Sequence, residues 1–524
     1  MNRSNGAPVD RSIRAESAAS VIPAASGSDF LQLDIGDAPF GGRADWLAGQ
    51  LRRAISDGRL PLGSRLPATR ILAAELRVSR GVVTEAYQRL SEDGHVAGRG
   101  RNGTVVVAAP APPAEPPRHP ARRENPVGSI DAKAPAPHQL VAPKGVFTHP
   151  PGEDIFDLVR SAPARIDLSP GVPDLTAFPR AAWLRAEREV FGSLSAAGFG
   201  YGDPRGTPEL RRAVAHWLAR NRGIRAEPDE VVVVAGTAQA LALIGQVLRE
   251  DGVEEIAVED PGSLGVRQHL RRQGLRTPPV SVDAEGIRVD ELRAHRAVLL
   301  TPAHQFPTGV VLGGARRRAL LRWAGDGGLI VEDDYDAEHR YDRPPVPALR
   351  SMLPERVCYA GSVSKLLAPA LRTGWVLAPP RHRDALVSAK RFADLGNAAL
   401  PQLVLARLME SGELERHLRL LRRRHRRRRD AMITAIRDHL PGAVVHGAAA
   451  GLHLLITFDG DRAEAFADTD LAAASLARGV KAHPLSWHHQ RPGPPGLLLG
   501  YAASPATAIT EGVAAIGEAL RDLR

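Results

Sequence analysis

Lys365 lies in the stretch from Gly361 to Gly374, Gly-Ser-Val-Ser-Lys-Leu-Leu-Ala-Pro-Ala-Leu-Arg-Thr-Gly, a hydroxyl-rich turn between two apolar runs. A lysine held against packed surface loses part of its preference for charge, and a partly deprotonated amine can form a Schiff base with a carbonyl. Ser362 and Arg372 add a hydroxyl donor and a planar cation, groups suited to a phosphate monoester. A Schiff-base lysine next to a phosphate clamp meets both requirements of pyridoxal 5'-phosphate (PLP).

Other stretches complement that lysine. The run Val231 to Ala235 reads as a strand, and Gly236-Thr237-Ala238-Gln239 opens the helix that follows it. Such a junction presents free backbone N–H groups at a positive dipole end, a seat for phosphate. Asp333 follows the apolar run Leu329-Ile330-Val331 and Glu332, where it could keep a pyridine nitrogen protonated. Tyr335 could donate to the ring's phenolic oxygen, and the loop Thr301 to Gly309 adds His304 and Gln305 as polar contacts.

These residues need a scaffold. Apolar runs at Glu255 to Val258, Ala297 to Thr301, Leu329 to Glu332, Val357 to Ala360 and Gly374 to Ala378 alternate with amphipathic helical segments. That alternation predicts a doubly wound α/β sheet over 166–524, with ligands at the C-terminal ends of its strands. A smaller C-terminal α+β subdomain is expected from about residue 400. Within it the segment Arg416 to Arg429 is densely basic, either the solvated face of a helix or a second contact to a DNA backbone.

Composition sets the outer limits. A chain of 524 residues is too long for one core, and 43% hydrophobic with 24% charged residues is globular composition. The formal charge of +10 favours an acidic partner, with nucleic acid first. The single cysteine, Cys358, excludes an intrachain disulfide framework and a cysteine-rich metal site. No apolar run reaches membrane-spanning length and no signal-peptide pattern opens the chain, so a cytoplasmic protein without a membrane role is expected. Residues 1–40 read as a disordered tail, and the Pro/Ala/Arg-rich stretch 109–165 as a semi-rigid extended linker.

Residues 41–108 have their own logic. Trp46, Leu47, Leu51 and Ile55 recur at helical spacing and stop at Gly58; Thr69 can cap a second helix, and Ser79 a third. On the third, Val83, Ala86 and Leu90 form the buried stripe, leaving Arg80, Gly81, Thr84 and Gln88 outside. Two helices joined by a tight turn, followed by a two-stranded wing, make a helix-turn-helix module whose exposed side chains can reach base edges. Arg70 and Arg77 could hold phosphates, and the wing tip carries Arg101 and Gly103.

Gly58-Arg59-Leu60, Ser64-Arg65-Leu66-Pro67, Val78-Ser79-Arg80, Ala86-Tyr87 and Gly103-Thr104 resemble the winged helix of the GntR transcription factors. Tyr201-Gly202-Asp203-Pro204, Gly236-Thr237, Glu259-Asp260-Pro261-Gly262, Pro307-Thr308-Gly309, Glu332 to Tyr335 and Ser362 to Arg372 resemble the class I and II aminotransferases of fold type I. The two together resemble the MocR subfamily of PLP-dependent regulators. The resemblance implies an internal aldimine on Lys365, Asp333 at the pyridine nitrogen, Tyr335 at the phenolic oxygen, and Ser362, Arg372 and the Thr237 helix start at the phosphate. It also implies a head-to-tail homodimer in which Tyr201 reaches the neighbouring subunit's phosphate.

Two positions depart from that pattern. Ser263 stands where an aromatic usually stacks on the cofactor ring, and Leu497-Leu498-Leu499 precedes Gly500-Tyr501 where transaminases carry a carboxylate-binding arginine. A carboxylate-bearing effector would then need Arg180, Arg205 or another cation. The reading is a PLP-dependent regulator of double-stranded operator DNA whose body senses an amine, an amino acid or PLP itself. Two alternatives stand beside it: an active aminotransferase with a DNA-binding head, and a regulator whose pocket no longer holds PLP.

Overall fold

The computed structural model describes residues 33, 35–38, 42–92, 95–98, 103–107, 145–147, 149–341, 346–459 and 466–523. Most of the expected N-terminal tail, linker residues 109–144 and Arg101 lie outside the described residues. The chain divides into two compact units, Met1–Pro126 and Val127–Arg524.

The first unit holds α1 (Arg43–Ser56), α2 (Thr69–Glu75) and α3 (Arg80–Glu92), then an antiparallel wing of β1 (Val96–Gly98) and β2 (Thr104–Val106). Leu47, Leu51 and Ile55 of α1 meet Leu72 of α2 and Val83, Ala86 and Leu90 of α3, with Val96 and Val106 closing the core from the wing. Thr69 is the first helical residue rather than the cap; that position falls to Ala68, which has no capping side chain. The start of α2 is held instead from α3, where the Tyr87 hydroxyl donates to the Pro67 carbonyl at 2.8 Å. Arg77 sits between α2 and α3 in the left-handed region, φ 50°, which makes the turn abrupt.

In the second unit the helices are α4 (Ile155–Ser161), α5 (Arg180–Ser193), α6 (Pro208–Arg222), α7 (Thr237–Glu250), α8 (Leu264–Arg272), α9 (Gly314–Gly325), α10 (Pro380–Asp394), α11 (Ala399–Glu410) and α12 (Glu413–His439). A short strand β3 (Ile166–Asp167) precedes the main ones: β4 (Val232–Val234), β5 (Ala257–Asp260), β6 (Pro279–Asp283), β7 (Gly286–Ile287), β8 (Ala297–Leu300), β9 (Leu329–Asp334), β10 (Val357–Ser362) and β11 (Gly374–Leu377). Among the described residues β4 to β11 form one sheet in the order β4-β11-β10-β9-β8-β5-β6-β7. Strands β10, β9, β8, β5 and β6 run parallel, and β11 is antiparallel to both its neighbours.

Both faces of this sheet are covered, so its strands are apolar throughout instead of alternating with polar residues. Val232 and Val234 pack toward α7, whereas Val231 and Val233 pack toward α6. Several strands run further than their apolar residues alone predict: β5 extends to Asp260, β9 to Asp334 and β10 to Ser362. Hydrogen bonds sustain those polar ends. Asp260 accepts from the Gln490 and Arg491 N–H groups at 2.8 and 3.1 Å, and Glu332 from those of Leu349 and Arg350 at 2.9 and 3.0 Å.

The smaller subdomain surrounds a separate core. Its sheet joins Ala443–His446, His453–Phe458, Gly496–Gly500 and His483–Pro484, backed by α12 and the helices Asp468–Ala477 and Ala506–Asp522. The expected linker ended at residue 165, but its last part belongs here. Val146, Phe147, Ile155, Val159 and Ala162 are buried in this core, and Phe147 stacks on Trp487 with ring centroids 5.3 Å apart. The spacing of Ile155 and Val159, continued by Ala162 at the C-cap, puts one apolar stripe along α4, and burying it anchors the chain's entry into the body.

The basic segment of α12 is split between two environments. Arg422 donates to the Glu338 carbonyl at 2.8 Å, Arg428 pairs with Asp174 at 2.9 Å, and Arg429 lies 5.0 Å from the centroid of the Tyr341 ring. Arg416, Arg419, Arg423 and Arg427 are exposed.

One buried ion pair joins α6 to the sheet. Arg222 Nε meets Asp334 Oδ2 at 2.5 Å with both side chains almost wholly buried, and the Tyr359 hydroxyl donates to the same oxygen at 2.6 Å. Arg222→Met should destabilise the body by about 3–5 kcal/mol, because it leaves the Asp334 charge buried and unpaired. Urea unfolding checks this; a loss under about 1 kcal/mol would show the pair to be dispensable.

Candidate functional site

Alternation along β9 separates the roles of its three acids. Glu332 and Asp334 point to one face, where backbone N–H groups hold Glu332, and Arg222 and Tyr359 hold Asp334 Oδ2. Asp333 points to the other face, into a cavity of about 370 Å³, and its Oδ1 is buried without a hydrogen-bond partner. Burial pushes the Asp333 carboxyl up to about 7, reinforced by Asp334 and Asp336 and opposed by Lys365.

Lys365 lines the same cavity from the turn after β10, and its amine donates to the Gly171 carbonyl. Burial lowers its proton affinity below the ordinary lysine value, while the Asp336 and Asp333 charges work the other way. The register Ala360↔Asp333 and Gly361↔Asp334 keeps the ends of β9 and β10 level, so both side chains emerge at one rim.

Thr237, Ala238, Ser362, Ser364 and Arg372 line another side of the cavity. Gly236 has φ 77° and ψ −179°, a conformation essentially confined to glycine, and a Cβ there would come within 3.2 Å of the Arg372 guanidinium. Arg372 is itself left-handed at φ 45° and donates to the Ala235 carbonyl, which fixes its fork over the first turn of α7. Ser362 Oγ accepts from the Ser364 N–H at 3.1 Å. A helix N-terminus, two hydroxyls and a guanidinium together can hold a phosphate.

Tyr335 faces the cavity with its hydroxyl 2.9 Å from His304 Nδ1, which also lies 2.9 Å from Asp336 Oδ2. His304 is thus one layer back, positioning Tyr335 instead of lining the cavity itself. Gln305 does not line it either. Its amide nitrogen donates to the Pro261 and Phe306 carbonyls at 2.8 and 2.7 Å, and its oxygen accepts from the Thr308 N–H and hydroxyl. The loop uses Gln305 as an internal tie, so the expected direct contact is replaced by a structural one. Tyr201 is 96% exposed and does not reach the cavity of its own chain.

The expected carboxylate cations are elsewhere. Arg205 is held by Asp203 at 2.6 Å and Arg180 is exposed at the start of α5; among the described residues Lys365 and Arg372 are the cations that line the cavity. Ser263 lines it too and caps α8, accepting from the Val266 N–H at 3.3 Å. Phe306, Leu452, His453 and Glu259 line the cavity although no cofactor role is assigned to them from the sequence. Burial pushes Glu259 up to about 7 against hydrogen bonds from Thr301, and lowers His453 to about 4, with His304 adding to the effect. The order Glu259-Asp260-Pro261-Gly262 was a signal for the first; nothing local marks Leu452 or His453, which arrive from the smaller subdomain.

In the head, Arg70, Ser79, Arg80, Gly81, Thr84 and Gln88 are exposed around the turn and the outer face of α3. Arg80 Nε lies 3.4 Å from Thr69 Oγ1, and Gly103 immediately precedes the return strand of the wing.

The family models that match are Aminotransferase class I and II, over residues 164–486, and Bacterial regulatory proteins, gntR family, over residues 44–106. The probable rhizopine catabolism regulatory protein MocR of Rhizobium meliloti is 32% identical over 472 residues, covering 88% of this chain and 91% of that protein. The HTH-type pyridoxine biosynthesis transcriptional regulator PdxR of Corynebacterium glutamicum is 29% identical, covering 90% and 95%. The α-aminoadipate aminotransferase LysN of Thermus thermophilus, solved with N-(5'-phosphopyridoxyl)-L-leucine, superposes with TM-score 0.62 and 28% identity over 68% of this chain and 92% of that one. The multiple substrate aminotransferase of Thermococcus profundus gives TM-score 0.64 and 28% identity over 70% and 94%. A gntR-type head joined to an aminotransferase-type body, matched over nearly its whole length to MocR, places this chain in the MocR family of HTH-type transcriptional regulators.

Proposed function

We propose that this chain is a PLP-dependent transcriptional regulator, binding operator DNA through its winged helix and sensing a small amine-type molecule in its aminotransferase-like body. The observation that carries the reading is Asp333 Oδ1, buried without a partner in the cavity that also holds the Lys365 amine. A buried unpaired acceptor is costly unless a ligand supplies the donor. A protonated pyridine nitrogen is such a donor, and the Gly236 cradle with Arg372 suits an anionic end. The residues present therefore fit PLP. Bound there, PLP would supply an electrophilic aldehyde carbon. Lys365 would hold it, Asp333 would keep its ring nitrogen protonated, Tyr335 would donate to its phenolic oxygen, and Ser362, Arg372 and the α7 N-terminus would hold its phosphate.

The same reading makes the protein a homodimer. Tyr201, Phe199 and Phe191 are exposed aromatics close together in sequence, at 96%, 59% and 49%. Exposed rings of that size suit burial against a second copy, which would take Tyr201 to the partner's phosphate site. Among the described residues no cation besides Lys365 and Arg372 lines the cavity to clamp a carboxylate, which argues against efficient transamination of amino acids.

Three outcomes test the reading. Borohydride treatment of PLP-saturated protein should leave a phosphopyridoxyl mass on the peptide containing Lys365, and Lys365→Ala should carry none; an unmodified wild type would sink the cofactor assignment. Titration of Asp333 gives the second. Its folded carboxyl is raised to about 7, above the ordinary aspartate value of 3.8, so the PLP-free protein should lose stability between about pH 4 and 7. That loss approaches about 1.4 kcal/mol per pH unit for one proton, and Asp333→Asn should flatten it. Unfolding curves across this range decide; an unaltered slope in the variant would remove the site's electrostatic basis.

The third concerns DNA. Arg80→Ala should weaken cognate over random duplex by about 1–3 kcal/mol, as loss of a base contact does. Arg70→Ala should weaken both alike and lower the salt slope by about 1, as loss of a phosphate contact does. Fluorescence anisotropy at several salt concentrations separates the two; interchanged behaviour would overturn the docking scheme.

A further inference from the structure

The side of the cavity left over from the cofactor assignments is where an effector would sit. Pro170, Gly171, Phe306, Leu452 and His453 line it, and none of them is an arginine or a lysine. Phe306 is backed by an apolar cluster of Leu455, Leu485 and Leu498. Alternation along the strand Gly496–Gly500 accounts for that cluster. Leu497 and Leu499 turn into the subdomain core, and Leu498 turns toward Phe306. The end of the strand is tightly packed. At Gly500 its backbone lies against Ser169 and Pro170, so closely that a Cβ would collide with the Ser169 carbonyl.

The supply of cations points the same way. Arg372 is committed to the α7 end and Lys365 to the cofactor. An incoming carboxylate would lose its hydration against Phe306 and Leu452 and find no bidentate partner among the described residues. The His453 ring is buried and its Nε2 lies 3.2 Å from the Pro307 carbonyl. It offers a neutral polar atom at most, since burial lowers it to about 4.

We infer that the cavity selects a primary amine with an apolar body and no carboxylate, which rests on the cofactor reading above and names the effector class for that site. The amine is the group that reacts with a carbonyl, and the apolar body replaces water along Phe306, Leu452 and Pro170.

Matched ligand pairs test this on the full-length, PLP-saturated protein by calorimetry. 2-Phenylethylamine against L-phenylalanine, and 3-methylbutylamine against L-leucine, differ by the carboxylate alone. Each amine should bind at least tenfold more tightly than its amino acid, and Leu498→Arg should narrow or invert that ratio. The wild-type comparison decides even where the variant fails to fold. Equal affinity, tighter binding of the amino acids, or binding of neither overturns the effector class. Bound PLP is measured separately by the mass on the Lys365 peptide. Retention of that mass with no amine preference rejects the effector class and spares the cofactor reading, whereas its absence rejects both.

Discussion

A carboxyl and an amine buried in one cavity are the constraint around which the body is organised. Neither Asp333 nor Lys365 gains stability from its position, since burial raises the carboxyl and lowers the amine, each toward its neutral form. The surrounding sheet has to enforce this arrangement. It does so through the pairing of β9 with β10, whose register aligns Ala360 with Asp333, and through the buried Arg222–Asp334 bridge on the opposite face. The pleat turns Glu332 and Asp334 to the opposite face, where backbone N–H groups, Arg222 and Tyr359 meet them, and leaves only the middle acid facing the cavity. A buried acid turned toward a cavity that also holds an amine marks a candidate ligand site.

How much of this was legible in the sequence depends on what kind of information each residue carries. Strand runs and the Gly236-Thr237 and Ser362 to Arg372 turns are local signals, and their elements appear where the pattern puts them. His304 and Gln305 were harder, because their loop places the polar groups correctly but their hydrogen bonds decide which way they face. The tie from Gln305 to Pro261 and the tie from His304 to Asp336 depend on chain 44 and 32 residues distant. Leu452 and His453 carried no local signal, since a small antiparallel sheet brings them to the cavity from another subdomain. The helix Ile155–Ser161 was hidden differently: a proline-rich approach masked a short apolar stripe that is unambiguous once its partner core is known.

The arginines of α12 illustrate why a charge run is ambiguous on its own. Arg428 is buried against Asp174, and Arg424 lies 3.3 Å from the same carboxylate, so these two are structural members of the body. Arg422 and Arg429 donate to the Glu338 and Ala448 carbonyls, fastening the loop after β9 and the connection between the strands Ala443–His446 and His453–Phe458. Long side chains lay their stems along apolar surface while the guanidinium reaches polar groups beyond, which lets one helix serve a core and a solvent face together. Only the exposed subset, with Arg419, Arg423 and Arg427 in it, retains the freedom to meet an anionic partner.

Regulation adds one requirement that neither unit meets alone. A ligand in the body changes DNA binding only through a difference in its affinity for two arrangements of the chain, typically about 1–3 kcal/mol. Under the proposed function the cavity would supply such a difference, because its walls come from the large sheet and the smaller subdomain together. Thr237, Asp333 and Lys365 belong to the first, and Leu452 and His453 to the second. A molecule that fills the space between them favours whichever arrangement brings them close. Apolar contact strengthens that preference in proportion to the area removed from water, so the far wall sets the size of the signal as well as its selectivity. On the proposed reading, the chemistry at Lys365 and the packing at Phe306 would divide the work: one would recognise the reactive group, and the other would convert its presence into a bias on the subdomain.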